Sequence, residues 1–270
     1  MNRLAYPLFI LKNHRGFLLF GALVIGALQA VIIALISTVD TASIITLLFE
    51  QLPQRFQEFI NESFLVSFSV KGAAAFGLNH PFVLALLAIS AIHIPNRHIA
   101  GEIESGTLEL MLAQPFERTR LLLWLWFSGG VLLLGIISGG LLGSLSALAA
   151  TDNLSGALLI KMLQIAANLW MLFVFIMSYT LLMATFSGEG SKIGMQSAGV
   201  TFLFFFLYLF STLWDGLKFT QPFNFFSYYQ PQKLMFGQQS FGMNVCVLSG
   251  LIAISLFISV RQFNRRDIPG

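Results

Sequence analysis

The stretch from Phe17 to Ile36 is an apolar run of about 20 residues. As an α-helix, at 1.5 Å per residue, it rises about 30 Å, the thickness of a bilayer's hydrocarbon core. Hydrocarbon offers no partner for a backbone N–H or C=O, so such a segment satisfies its own backbone as a helix. It is also long for the apolar part of a secretory leader, which makes it a first span rather than a cleaved signal. Small residues recur at every fourth position, Ala22, Gly26, Ala30 and Ala34, a ladder that lets a neighbouring helix approach closely.

Five further apolar runs follow. Phe82 to Ile94 is too short to cross alone; starting at Pro81, a favourable first helical residue, and continuing through Pro95 to about Ile99 gives a second span. The third is Leu121 to Ala150, with Trp124 and Trp126 where an interfacial belt belongs, and Gly135, Gly139, Gly143 and Ala147 forming a second small-residue ladder. The fourth runs from Gly156 to Phe186, with Lys161 placed to snorkel; the fifth is Met195 to Trp214 and the sixth Met243 to Val260. With 56% hydrophobic and only 10% charged residues, the chain is far from a soluble domain, in which charged residues run near 25%. The expected fold class is all-α: a polytopic membrane protein with six transmembrane helices in a single domain, residues 1–270.

The connections carry the remaining signals. Residues 1–16 mix apolar residues with Arg3, Lys12, His14 and Arg15 and read as an interfacial segment bent at Pro7. Residues 37–80 form a large insert in which Leu48, Leu52, Phe56, Phe59, Ile60 and Phe64 share one helical face, an amphipathic helix lying on the outer surface or packed on the spans. Residues 215–242 hold Phe223, Phe225, Phe226, Tyr228 and Tyr229, an ordered aromatic segment at headgroup level or a place of substrate contact. The single cysteine, Cys246, excludes an intrachain disulfide. His93 invites thoughts of a proton relay or a metal ligand, but no partner carboxylate accompanies it in its span. SGEGSKIG, residues 187–194, lacks the four-residue gap and directly following lysine of a phosphate-binding loop and reads as a tight turn.

An even number of spans puts both termini on one side. Arg3, Lys12, Arg15, Arg97, Arg118, Arg120, Lys192, Arg261, Arg265 and Arg266 fall on that side, and Arg55, Lys71, Lys161, Lys218 and Lys233 on the other, ten of the fifteen basic residues against five. By the positive-inside rule the termini are cytoplasmic.

One long polar interruption then faces the cytosol: Ile99 to Arg120, IAGEIESGTLELMLAQPFERTR. Gly106 and Thr107 read as a helix start, with Thr107 the N-cap, Glu109 in the first turn, and Pro115 closing that helix or opening the next. A helix running on through Gly106 would instead place Ile99, Ile103 and Leu110 on one stripe and Glu102, Ser105 and Glu109 on another.

The string GEIESGTLELMLAQPFER resembles the signature of the type-two exporter permeases, the membrane subunits of ATP-binding-cassette (ABC) transporters, whose relatives include the nitrous-oxide-reductase assembly permease. Glu102, Gly106, Thr107, Leu108, Glu109, Leu110, Pro115 and Arg118 occupy the matching positions, with Glu104 between them. A lysine that often follows six or seven residues later is absent; Trp124 and Leu125 stand there. The resemblance implies that residues 101–115 form a coupling helix docking on an ABC ATPase. It also implies that the permease pairs with a second copy or a similar subunit, and that transport alternates access under ATP closure of the ATPase dimer. The setting implied is a bacterial inner membrane. The chain itself carries no nucleotide-binding loop, so it is not an enzyme: it binds no cofactor, and ATP and Mg belong to the partner.

The membrane-centre carboxylates and bases of an ion-coupled carrier are missing from the spans, and no cluster has the spacing of a catalytic metal site or suits nucleic acid. Membrane lipid is an obligatory partner; a periplasmic partner stays open. The alternative is a non-ABC channel or membrane scaffold, which would keep six spans without an ATPase.

Overall fold

The computed structural model describes residues 5–38, 47, 69–107, 117–187 and 189–266. Every regular element among them is helical: α1 (Ala5–Asn13), α2 (Arg15–Thr38), α3 (Val70–Leu78), α4 (Pro81–Pro95), a π-helical turn (Asn96–Ala100), α5 (Gly101–Glu104), α6 (Arg118–Ala150), α7 (Gly156–Phe186), α8 (Gly190–Leu213), two 3₁₀ segments (Asp215–Phe223 and Phe225–Tyr228), α9 (Pro231–Met235) and α10 (Phe241–Arg265). Six stretches, α2, Val70–Glu104, α6, α7, α8 and α10, are long and apolar enough to cross a membrane. The protein is an all-α polytopic membrane protein.

Start signals act where chemistry places them. The hydroxyls of Ser69, Ser155 and Ser240 accept N–H bonds from Gly72, Leu158 and Met243, opening α3, α7 and α10. Pro81 opens α4 because its missing N–H falls among the unpaired donors of a first turn. Pro7 lies in the first turn of α1 for the same reason, so the helix runs through it without the expected bend.

The most buried span is α7, against which α4, α6, α8 and α10 all pack. Indole N–H groups stitch it to α6: Trp170 donates to the Gly130 carbonyl at 2.8 Å and Trp126 to Ser178 Oγ at 2.9 Å. At the end away from the termini, Asn244 Nδ2 donates to Asn168 Oδ1 at 2.8 Å and Asn168 Nδ2 to the Tyr228 carbonyl at 3.0 Å. Buried amides of this kind cost free energy unless paired, and these are paired.

The two small-residue ladders face each other. A Cβ on Gly139 would lie 2.5 Å from Ala22 Cα, and one on Gly143 would lie 2.6 Å from Gly26 Cα. One on Gly26 would come within 2.8 Å of the Gly139 carbonyl, and one on Gly135 would touch Leu18 Cδ1 at 3.0 Å. Spans α2 and α6 therefore meet backbone to backbone, which removal of the side chains alone permits.

Three expectations need correction. Residues 70–78, the end of the proposed outer insert, form the buried helix α3, whose small residues pack against α2 and whose last turn leads into α4 through Asn79 and His80. The rest of that insert, including the proposed amphipathic face, lies outside the described residues. The aromatic segment is only partly an interfacial belt: Phe219 and Phe223 are exposed, but Phe225, Phe226 and Tyr229 insert into the core. The Tyr229 hydroxyl donates to the Leu78 carbonyl at 3.0 Å. Finally, the turn after α7 is short, because Gly190 already begins α8 and Lys192 to Gly194 are helical.

Candidate coupling site

The described parts of the polar stretch, residues 99–107 and 117–120, sit at the end of the bundle where α10 finishes. Pro95 lacks an N–H and its ring crowds the carbonyl one turn back, so the helix cannot keep its pitch beyond α4. It widens instead into the π-helical turn, in which the N–H of Gly101 reaches back to the Asn96 carbonyl. One regular turn, α5, follows.

Gly106 ends it. Its φ of +71° is left-handed, a conformation that glycine adopts without a Cβ penalty, and its N–H bonds to the Ile103 carbonyl at 3.1 Å. A helix running uninterrupted through Gly106, with Glu102 and Glu109 on one stripe, is therefore excluded. Thr107 is already helical, so it is not the N-cap expected from the sequence. Its hydroxyl turns back, donating to the Glu102 carboxylate and lying 2.8 Å from Ser105 Oγ, which in turn donates to the Gly101 carbonyl at 2.9 Å.

The candidate residues part company here. Glu102 is half-buried beside α1, where burial, with help from this carboxylate, pushes the Tyr6 hydroxyl's pKa above its ordinary value. Glu104 Oε2 accepts the N–H of Gly190 at 2.8 Å, placing a carboxylate on the positive end of α8. Arg118 turns away from the stretch: its Nη1 donates to the Arg266 carbonyl at 2.6 Å, across the negative end of α10. Asn264 Nδ2 donates to Thr119 Oγ1 at 2.8 Å and Arg266 Nη1 to the Thr185 carbonyl at 3.1 Å, so α6, α7 and α10 are tied together at this end. Leu108, Glu109, Leu110 and Pro115 lie outside the described residues.

A histidine cluster nearby was not legible as a unit. His14, in the junction of α1 and α2, has its Nε2 3.0 Å from Nε2 of His98 in the π-helical turn, and its ring lies 5.9 Å from that of His93, centroid to centroid. Only one of the paired nitrogens can carry the shared proton. Burial, and then the neighbouring His93, lower the pKa of His14. Beside the cluster a cavity of about 300 Å³ runs between α2, α4 and α6. Its apolar walls include Phe17, Ile89, Leu132 and Ile136, and His14 and His93 stand among its lining. No sequence signal joins His14 to His98, 84 positions apart.

Chemically the described part of the region offers carboxylates, hydroxyls and helix ends. Among the described residues no group of three or more His, Cys, Asp or Glu is arranged to hold a metal ion. A family model described as ABC-2 family transporter protein matches residues 22–268. No curated protein matches the sequence.

Proposed function

The chain belongs to the ABC-2 transporter family, and we propose that it is the membrane subunit of an ATP-driven exporter, worked by a separate ABC ATPase that carries the ATP and Mg. Its six apolar spans and its family make it a multi-pass permease subunit. The finer reading is supported by one observation above the rest: the described part of the stretch that matches the exporter signature lies at the end where α10 finishes, in a sharp turn set by Gly106, with Glu104, Ser105 and Gly106 exposed.

The basic residues concentrated at that end support its being the cytoplasmic one, and a bacterial inner membrane is the setting that the resemblance implies. Docking is assigned to Glu102, Gly106, Thr107, Leu108, Glu109, Leu110 and Pro115, as the resemblance implies. Two of the original candidates receive a different part. Glu104 and Arg118 hold helix ends together, so they transmit displacement rather than grip a partner. Motion of the turn reaches α4 through the continuous π-helical segment and α8 through the Glu104–Gly190 bond. Closure of an ATPase dimer would thus move two spans together. A second permease copy completes the assembly, since one chain supplies one such docking turn.

Co-expression of the chain with its cognate ATPase tests this. The two should co-purify, and reconstituted complex should hydrolyse ATP at a rate that depends on the permease. A six-span protein that binds no ATPase would return the reading to a channel or scaffold.

A further inference from the structure

We propose that the groove beside His14 and His93 is a binding site for an anionic phospholipid of the leaflet at the basic end. Its phosphate would sit at the rim and one acyl chain would lie along the groove. The site stands independently of ATPase docking.

The groove has the shape and polarity of that ligand. Its apolar part spans residues one helical turn apart on two helices, Ile89 with His93 on α4 and Leu132 with Ile136 on α6, so it extends along the helix axes as an acyl chain does. It is open at the surface of the chain: Ile89 is 60% and Phe17 39% exposed. The histidines supply hydrogen-bonding groups in its lining, near Arg15 and Arg97 in the sequence.

Charge selects the headgroup. Lys12, Arg15 and Arg97 are exposed cations in the same corner, Arg15 next to His14 and Arg97 close enough to act electrostatically on His93 and His98. Among the described residues, ion pairs form at Arg120–Glu117, Lys192–Glu189 and Lys218–Asp215, and none at these three. The carboxylate that acts on His98, Glu102, is engaged by Thr107. Basic pockets between helices on the cytoplasmic side attract anionic headgroups. Phosphatidylcholine brings the same phosphate, but its quaternary amine would meet these cations with like charge.

The test is native mass spectrometry of the full chain, delipidated in detergent and titrated with dioleoyl phosphatidylglycerol or dioleoyl phosphatidylcholine. The parent should retain phosphatidylglycerol at least tenfold more tightly. Arg15→Gln with Arg97→Gln should weaken it on the order of thirtyfold, at about fivefold per basic residue near a membrane surface. The control pair Arg261→Gln with Arg265→Gln removes two exposed cations from the same end and should leave retention intact. Ile89→Trp fills the groove, keeps every charge, and should also release the lipid; it decides the matter should the rim variant fail to fold. Equal retention of the two lipids, equal loss in both arginine pairs, or full retention by Ile89→Trp would overturn the site. So would displacement by soluble glycerol 3-phosphate, which has the phosphate without the chain.

Discussion

Glu104 and Gly190 meet at 2.8 Å, the carboxylate of one accepting the first N–H of the helix that begins at the other. The bond joins the end of α5 to the start of α8, two elements 86 positions apart. A helix N-terminus carries a partial positive charge and unpaired donors, so an exposed carboxylate there contributes about 0.3–1 kcal/mol. Glu104→Gln keeps an acceptor and should lower the melting temperature in detergent less than Glu104→Ala does. Should Glu104→Ala leave the melting temperature untouched yet abolish ATPase binding, the residue grips the partner directly and its positioning role is wrong.

The α2–α6 crossing makes a sharper prediction. A leucine at Gly139 must displace Ala22 backbone, not merely a flexible side chain. Overpacking typically costs about 1–3 kcal/mol, and a backbone neighbour places this site at the upper end. Gly139→Leu should therefore express poorly and melt early. Gly250→Leu on α10, where no atom lies within 4 Å of the added Cβ, is the matched control and should behave as the parent. Equal behaviour of the two variants in a thermal-shift assay would remove the ladder from the fold's essential contacts.

His14 predicts a pH response. Its folded-state pKa is lowered by burial and then by His93, so the unfolded chain takes up the proton first as pH falls below the ordinary value of 6.5. Stability from neutral His14 is thus present above pH 6.5 and is lost as pH falls through the window below it. The groups facing it are His93 and His98, and Arg97 and Glu102 act on His98 in turn. Melting temperatures taken from pH 7.5 down to 5 should fall, and His14→Gln should flatten that slope. An unchanged slope would mean that His14 is as easily protonated in the folded protein as in the unfolded chain.

Sidedness is open to chemical labelling. The distribution of basic residues puts Ser191, in the first turn of α8, on the cytosolic side and Gln54 on the other. With Cys246 replaced by serine, a cysteine at position 191 should react only with reagents reaching the cytosol, and one at position 54 only from outside. Labelling of both from one side would refute the arrangement of six spans.

The spans were legible because length and hydropathy act locally: about 20 apolar residues in a row leave one physical solution. Gly26, Gly139 and Gly143 were legible as places where some helix must come close, but not as each other's partners, since periodicity names a face and not its mate. The helix α3 was missed because its nine residues, with Lys71 among them, are too few to cross a membrane alone. Its burial comes from packing, with Gly77 lying against the side chain of Gln29. The bonds of Glu104 and Arg118 to helix ends were not legible, because charge adjacent to a motif looks alike whether it points to a partner or to a helix end. Only the tertiary fold shows those bonds, and the His14–His98 pair has no local signature at all.

The bonds of Glu104 and Arg118 to helix ends fix how docking should be probed. Glu102 remains free of the helix ends, its carboxylate held by the Thr107 hydroxyl in the turn that Gly106 sets. Glu109 follows in the signature. The hydrogen bond at the Glu102 carboxylate is local, from Thr107, and not between spans, so the variant Glu102→Ala with Glu109→Ala is expected to insert and melt as the parent does. If these carboxylates pair with an ATPase arginine or lysine in a desolvated contact, truncation costs about 2–5 kcal/mol, enough to lose the partner on purification. The same double change at Glu58 and Glu62 removes equal charge from the insert and should spare the partner. Thr107→Val isolates the turn itself: it keeps both carboxylates but frees Glu102 to swing, and should weaken ATPase coupling with binding largely kept. If the Glu102/Glu109 variant instead retains full binding and permease-dependent hydrolysis, the grip lies in the apolar residues Leu108 and Leu110, and leucine-to-alanine changes there become the deciding measurement.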